Sequence, residues 1–373
     1  MDTRARRTGR QTALHPEDPR TLATTSVQTK AATTLGSLAT VTDFDAVVIV
    51  SFGGPEGPDD VVPFLRNVTR GRDIPDERLA VVGAHYSHFD GVSPLNEQCR
   101  RLQVALDEDL RASGHGLPIY WGNRNWHPHL AATVQQMADD GITRALAVAT
   151  SAYSSHSGCR QYLDDIATAR AAVGPSAPVI EKIRPYFDHP GFVDPFRDGL
   201  SRAVGNRAVP LVFTAHSIPT AMAQRCDYEQ QLRAVAALVA EVSPDARWDL
   251  VWQSRSGPPR VPWLEPDIND HLRSLSREGV SEAIVVPIGF VSDHMEVVWD
   301  LDTEAVATAN ELGIALTRVE TPGTLPDPRF VAMWRDLILE RIDDGPRRAL
   351  SALAERPLPC AQDCCPSGRD SGH

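Results

Sequence analysis

Three groups of residues have types and spacings that could do chemistry. The first is His216, which closes the apolar run LVFTAH and is followed by Ser217, Ile218 and Pro219, the start of a loop and helix. Doubly wound sheets place ligand-contacting side chains at strand ends, and an imidazole titrating near neutrality can take a proton or hold a borderline metal. A capping or buried histidine is the plainer alternative. The second group lies in SDHMEVVWDLDTE, where Glu296, Asp300 and Glu304 recur at i, i+4 and i+8, so that one helical face carries three carboxylates. Like charges stacked in this way destabilise an isolated helix, so the ladder needs a reason. With Asp293 as N-cap, Glu296 takes the capping-box position, and a solvated acidic face would be equally plain. A route for hard cations or protons is the sharper reading.

The third group is a set of cysteines. Of six, Cys360, Cys364 and Cys365 crowd into the tail LPCAQDCCPSGRDSGH, where the flanking prolines favour extended or turning chain. Without a secretion signal, metal ligation explains clustered thiols better than a disulfide framework does. Cys159, which ends the loop SAYSSHSGC, is the natural fourth ligand for zinc or an iron–sulfur cluster. The C-x3-C-C spacing is not a standard zinc pattern and leans towards two irons. A set of unligated thiols in a disordered tail is the alternative.

The elements that must position these groups occur twice. GITRALAVAT from Gly141 is echoed by GVSEAIVVPI from Gly279, Trp121 in YWGNRNW by Trp252 in VWQSRSG, and AVVIVSFGG from Ala46 by VPLVFTAHS from Val209. This internal duplication predicts two similar α/β units with a cleft between them. Short apolar runs alternate with amphipathic stretches, as strand–helix–strand units of a parallel sheet require. Strands are expected near 46–51, 118–121, 145–150, 210–214, 248–252 and 283–288, with helices over Leu95 to Ala112, Tyr228 to Glu241, from Asp293, and over Pro328 to Ile342. Residues 1–42 read as a disordered extension, 43–200 as the first domain, 201–345 as the second with its final helix, and 346–373 as a cysteine-rich tail. The inter-domain linker is expected near Pro190 to Asn206.

Composition narrows the function classes. At 373 residues the chain is long enough for two domains, each with its own core. A net charge of −12 without a basic stripe argues against a nucleic-acid partner. No apolar run approaches the length of a membrane span, so a soluble, cytoplasmic protein is expected. Lys30 and Lys182 are the only lysines, and the remaining basic residues are arginines, a bias expected of a GC-rich bacterial genome. The turn FGGPEGP holds Gly53, Gly54 and Gly57 but matches neither nucleotide-binding glycine pattern, and its prolines remove N–H donors. Its glycines suit close approach by a flat ligand or another backbone.

Six motifs in order, VIVSFGGPEGP, YSHFDGVSPLNEQ, YWGNRNWHP, VFTAHSIP, VWQSRSGPPRVPWLEPD and GFVSDHMEVVWDLD, resemble the ferrochelatase family over about Asp43 to Ile342, its soluble bacterial branch in particular. The tail resembles actinobacterial members that carry a [2Fe-2S] cluster, which would make Cys159, Cys360, Cys364 and Cys365 its ligands. The resemblance implies two Rossmann-like, chelatase-type domains, each a parallel sheet flanked by helices, with a porphyrin cleft between them. It implies that His216 and Glu296 face each other as the iron and proton-transfer site, with Asp300 and Glu304 leading metal in or protons out. Ser93 and Tyr162 match residues that contact porphyrin propionates. Phe52 falls where many bacterial members have a metal-ligating tyrosine; it can stack on a macrocycle but cannot ligate iron. Trp252 and Trp263 could serve as further apolar walls or as plain core.

Inserting Fe(II) removes two pyrrole protons, and an imidazole beside a carboxylate suits both tasks. The four propionates of coproporphyrin III suit a chain with neither an apolar lip nor a membrane tail. The expected activity is therefore Fe(II) insertion into coproporphyrin III, with transient contact with neighbouring haem-pathway enzymes. Protoporphyrin IX is the alternative substrate. A non-catalytic haem or iron–sulfur sensor is the alternative class, against which the retention of both His216 and Glu296 speaks.

Overall fold

A computed structural model describes residues 44–71, 75–258, 260–353, 358–361 and 363–368, so the expectation for residues 1–42 lies outside the described residues. Two four-stranded parallel sheets form the framework. In the first half the order along the chain is β1 (Ala46–Ser51), α1 (Pro58–Val68), α2 (Asp76–Ser87), α3 (Leu95–Ala112), β2 (Ile119–Asn123), α4 (Leu130–Asp139), β3 (Arg144–Ala149), a π-turn (His156–Arg160), α5 (Gln161–Val173) and β4 (Val179–Lys182). Next come α6 (Pro190–Val204), β5 (Leu211–His216), α7 (Thr220–Ala223), α8 (Tyr228–Ala240), β6 (Trp248–Gln253), α9 (Ile268–Arg277) and β7 (Glu282–Val286). The chain closes with α10 (Met295–Val297), a π-helical stretch (Val298–Ala305), α11 (Val306–Leu312), β8 (Ala315–Arg318) and α12 (Pro328–Ile342).

The strand orders, β2-β1-β3-β4 and β6-β5-β7-β8, are the same permutation, so the sequence echo is a repeat of topology. The paired segments occupy equivalent strands: GITRALAVAT forms β3 and GVSEAIVVPI forms β7, while Trp121 and Trp252 sit in β2 and β6. In β1 and β3, Val47, Ile49, Leu146 and Val148 face one layer while Ala46, Val48, Ala145 and Ala147 face the other, as the two-residue period of a strand demands. Both faces are apolar because both are covered, the usual condition of a parallel sheet.

Three expectations need correction. The segment from Pro190 to Asn206 is not a linker: residues 190–204 form α6, with Pro190 in its first turn and the His189 side chain accepting from Gly191 N at 3.0 Å. Its apolar face, Phe192, Val193, Phe196 and Leu200, is fully buried between the sheets. The halves also do not have separate cores. A single apolar layer takes residues from both sheets and from α3, α6, α8 and α12, leaving a smaller cluster on the outer face of each sheet. Finally, β4 and β8 were not anticipated, because each is a four-residue edge strand too short for an apolar period to register.

Candidate active site

His216 ends β5 and is 30% exposed at its side chain. Its Nδ1 lies 2.5 Å from Ser217 O, a carbonyl that can only accept, so Nδ1 is the donor in this bond and Nε2 is the ring nitrogen left for other partners. Nε2 lies 3.7 Å from Glu296 Oε2. The carbonyl of His216 accepts from the Tyr228 hydroxyl at 3.1 Å, which fixes the strand end from α8. The two residues singled out as a facing pair therefore do face each other.

Glu296 does not take the capping-box role. His294 is the N-cap of α10, its Nδ1 accepting from Glu296 N at 3.2 Å. Asp293 instead accepts from Thr321 Oγ1 at 2.9 Å and Arg318 Nη1 at 2.8 Å, which anchors the loop ahead of the helix. With Asp293 held by Arg318 and Thr321, the neighbouring histidine serves as the cap. Burial holds the His294 pKa below the ordinary imidazole range, with Glu296 pulling the other way. His294 thus joins His216 and Glu296 at the site, which its position beside Glu296 in the sequence could have signalled.

The ladder beyond Glu296 passes from α10 into the π-helical stretch. A four-residue step overshoots one α-helical turn and falls short of one π-turn, so a ladder crossing between the two keeps to one face. Asp300 accepts from Ser254 Oγ and from Gln253 Nε2, the latter at 3.3 Å, and both donors come from the end of β6. Burial pushes the Asp300 pKa up to about 7, against the Ser254 bond and with help from Glu296 and Glu304. A carboxyl titrating near neutrality can pass a proton in either direction. Glu304 is exposed and accepts from Trp299 Nε1 at 2.9 Å. Gln253 and Ser254 carried no sequence signal, because their role depends on where the adjacent strand ends.

The first half brings the other wall. Phe52 follows β1, is 38% exposed, meets Phe64 in a T-shaped contact at 6.3 Å and has the Arg124 guanidinium over its ring at 5.9 Å. Gly54 permits close approach, since a Cβ there would lie 2.5 Å from Ser93 Cβ. The expectation for the glycine turn was a flat ligand or another backbone, and at Gly54 the close neighbour is instead the Ser93 side chain. Ser93 is 5% exposed and its hydroxyl accepts from Leu95 N at 3.4 Å, beside the start of α3. Tyr162 is a correction: it is 4% exposed inside the first outer core, with Arg124 above its ring at 4.4 Å, and it presents no open face to a propionate. The cause is that α5 packs this side of its surface onto the sheet. Trp252 is core, at 2% exposed, whereas Trp263 is half-buried and lies so close to Gly257 that a Cβ there would meet the indole at 2.4 Å.

Contacts between the halves hold the two walls in register. Tyr153 OH donates to Ile288 O at 2.7 Å, Gln98 Nε2 to Asp293 O at 3.1 Å, and Gln231 exchanges two bonds with Ser154, at 2.8 and 2.9 Å. Burial raises the Tyr86 pKa, assisted by the Glu296 charge, which puts α2 of the first half beside the second half's carboxylate.

The tail thiols come together with Cys159, which is 4% exposed in the π-turn ahead of α5. A hydrogen bond to Cys159 is the main reason the Cys360 pKa is raised, with burial second. Cys364 and Cys365 have their sulfurs 3.7 Å apart. Burial, then Cys364, raises Cys365, and Cys226 is a further neighbouring thiol that sequence reasoning did not include. The tail is tied down where Leu350 N donates to Asp188 O at 2.8 Å and Ser351 Oγ to Asp188 Oδ2 at 2.6 Å. Among the described residues no group of three or more His, Cys, Asp or Glu is arranged to hold a single metal ion. The thiols are arranged as two adjacent pairs.

Two Rossmann-like halves with an imidazole at the end of β5 opposed by a carboxylate on α10 define a metal chelatase. The chain belongs to the ferrochelatase family, whose model, described as Ferrochelatase, matches residues 44–342, and it is a metal-inserting enzyme, a lyase. It is 52% identical over 338 residues to the coproporphyrin III ferrochelatase of Mycolicibacterium smegmatis, covering 86% of this chain and 99% of that one. It is 49% identical over 349 residues to the coproporphyrin III ferrochelatase of Streptomyces coelicolor, covering 87% and 92%. Among solved structures, SirB from Bacillus subtilis with Fe3+ shares the fold at a TM-score of 0.50 and 10% identity, over 79% of this chain and 96% of that one. No helix among the described residues is long and apolar enough to cross a membrane.

Proposed function

We propose that this enzyme inserts Fe(II) into coproporphyrin III, releasing two protons and forming coprohaem. The observation that carries the substrate is near-full-length identity of about half to relatives named for that porphyrin. In this reading His216 Nε2 accepts the pyrrole protons and holds the incoming iron loosely, while Glu296, 3.7 Å away, exchanges either with the ladder. Asp300, with its pKa near 7, and Glu304 beyond it connect Glu296 to solvent, leading Fe(II) in and protons out. Phe52 grips one face of the macrocycle and, lacking a hydroxyl, leaves the metal without an axial oxygen from that side. Ser93, buried behind Gly54, and Tyr162, beneath Arg124, shape the first-half wall from behind rather than by direct contact with a propionate.

We further propose that Cys159, Cys360, Cys364 and Cys365 hold a [2Fe-2S] cluster. Two thiol pairs suit two adjacent irons, and the raised pKa values of crowded thiols are what a bound cation would relieve. Such a cluster would supply a covalent tie between the tail and the π-turn of the first half. Side-by-side insertion assays with Fe(II) and either coproporphyrin III or protoporphyrin IX test the substrate. Faster turnover of protoporphyrin IX would refute it, and no turnover of either would favour a sensor. A colourless protein containing zinc under both aerobic and anaerobic purification would end the cluster reading.

A further inference from the structure

Trp299 sits in the π-helical stretch between the two ladder carboxylates Glu296 and Asp300, and it has no part in the chemistry above. Its indole Nε1 donates to Glu304 Oε1 at 2.9 Å, five residues further on. In an α-helix a five-residue step lands about 140° around the axis, too far for two side chains to meet. A π-turn closes i to i+5, which brings residues 299 and 304 one above the other. The bond is therefore a product of the π geometry.

The indole is itself held from the opposite half. The His85 ring, on α2, stacks on Trp299 with centroids 4.1 Å apart and planes 11° from parallel. His88 and Phe89 stand nearly perpendicular to it, with centroids 5.7 and 6.4 Å away. Tyr86, between the two histidines, lies beside Glu296 on the same side. An exposed glutamate has three side-chain torsions and no preferred direction, and a donor fixed by a ring stack removes that freedom while leaving the second carboxylate oxygen for a cation.

We propose that Trp299 is a positioning residue for Glu304, aligning the outer carboxylate of the ladder to receive Fe(II), and that α2 sets this alignment from the first half through His85. The inference rests on the ladder being the iron route. Steady-state insertion kinetics with Fe(II) and porphyrin varied separately test both, using W299F, E304Q, the W299F/E304Q double variant and H85A. W299F keeps an aromatic ring for His85 but has no N–H. It should raise KM for Fe(II) about fivefold, the effect of losing one hydrogen bond to a partly solvated carboxylate. The turnover number and the porphyrin KM should stay within about twofold. E304Q should raise KM for Fe(II) at least as much, and the double variant should be no worse than E304Q alone. H85A keeps the N–H but removes its stack and should shift the same constant in the same direction, so it carries the test if W299F does not fold.

A normal KM for Fe(II) in W299F, with E304Q impaired, would overturn the positioning inference and leave the ladder intact. A normal KM for Fe(II) in E304Q would overturn the ladder reading and the inference with it. A W299F loss spread over KM for iron, KM for porphyrin, kcat and melting temperature together would mean a merely structural tryptophan.

Discussion

Replacing Asp300 with asparagine separates what this carboxyl costs the fold from what it contributes to turnover. Burial raises the Asp300 pKa from 3.8 to about 7. Below pH 4 the group is protonated in folded and unfolded chains alike and contributes nothing. Between pH 4 and 7 the folded chain keeps a proton that the unfolded chain has lost, so stability falls as pH rises, and above pH 7 the penalty is complete. A shift of about three units corresponds to at most about 4 kcal/mol. Because the side chain is only half-buried at the surface, water relieves part of this, and about 2 kcal/mol is the working figure. Asparagine is isosteric and its carbonyl oxygen can still accept from Ser254 and Gln253. Asp300→Asn should therefore lie within about 0.5 kcal/mol of the parent near pH 4.5 and exceed it by about 2 kcal/mol at pH 8 in urea melts, while iron insertion falls at least about tenfold. A stability difference that does not change with pH, or a variant less stable at pH 8, would refute both the burial argument and its sign.

Further outcomes follow from the same geometry. His216→Ala should lower kcat at least about 100-fold with a melting temperature within a few degrees of the parent, since the side chain is a third exposed, and unchanged turnover would remove it from the chemistry. Tyr153→Phe removes a buried bond that joins the halves and leaves Ile288 O unsatisfied, so it should cost about 1–3 kcal/mol in denaturant melts. Cys159→Ser should lower the iron and sulfide content of the purified protein and bleach its absorbance. Retention of both would exclude Cys159 as a ligand. Gly54→Ala should destabilise by about 1–3 kcal/mol, because the new methyl would meet Ser93 Cβ at 2.5 Å, and a neutral result would mean that the Gly54 turn or the Ser93 loop gives way easily.

Much of the fold and part of the site could be read from the chain. Short apolar runs marked six of the eight strands, and the echo between Gly141 and Gly279 identified equivalent strands of two matched sheets. His216 and Glu296 stood out as candidates because a lone imidazole at a strand end and a carboxylate ladder both ask for a reason, and their pairing came from the family resemblance. The linker was misread because α6 begins with Pro190 and contains Pro195, both of which usually mark breaks, whereas here the first turn absorbs Pro190 and burial between two sheets compensates for Pro195.

By itself, the sequence determined the repeat, the parallel α/β class and the residue types available for metal and proton transfer, since these follow from local periodicity and side-chain chemistry. Only the tertiary structure decided which of those groups meet. Gln253 and Ser254 reach Asp300 because β6 ends beside β5, and Tyr162 is lost to the core because α5 turns it inward. His294 displaces Asp293 as the cap because Arg318, on β8, claims the aspartate. Trp299 reaches Glu304 because the helix widens to a five-residue turn. Each of these depends on distances between segments far apart in the chain or on a local change of helical pitch, and neither leaves a trace in residue spacing.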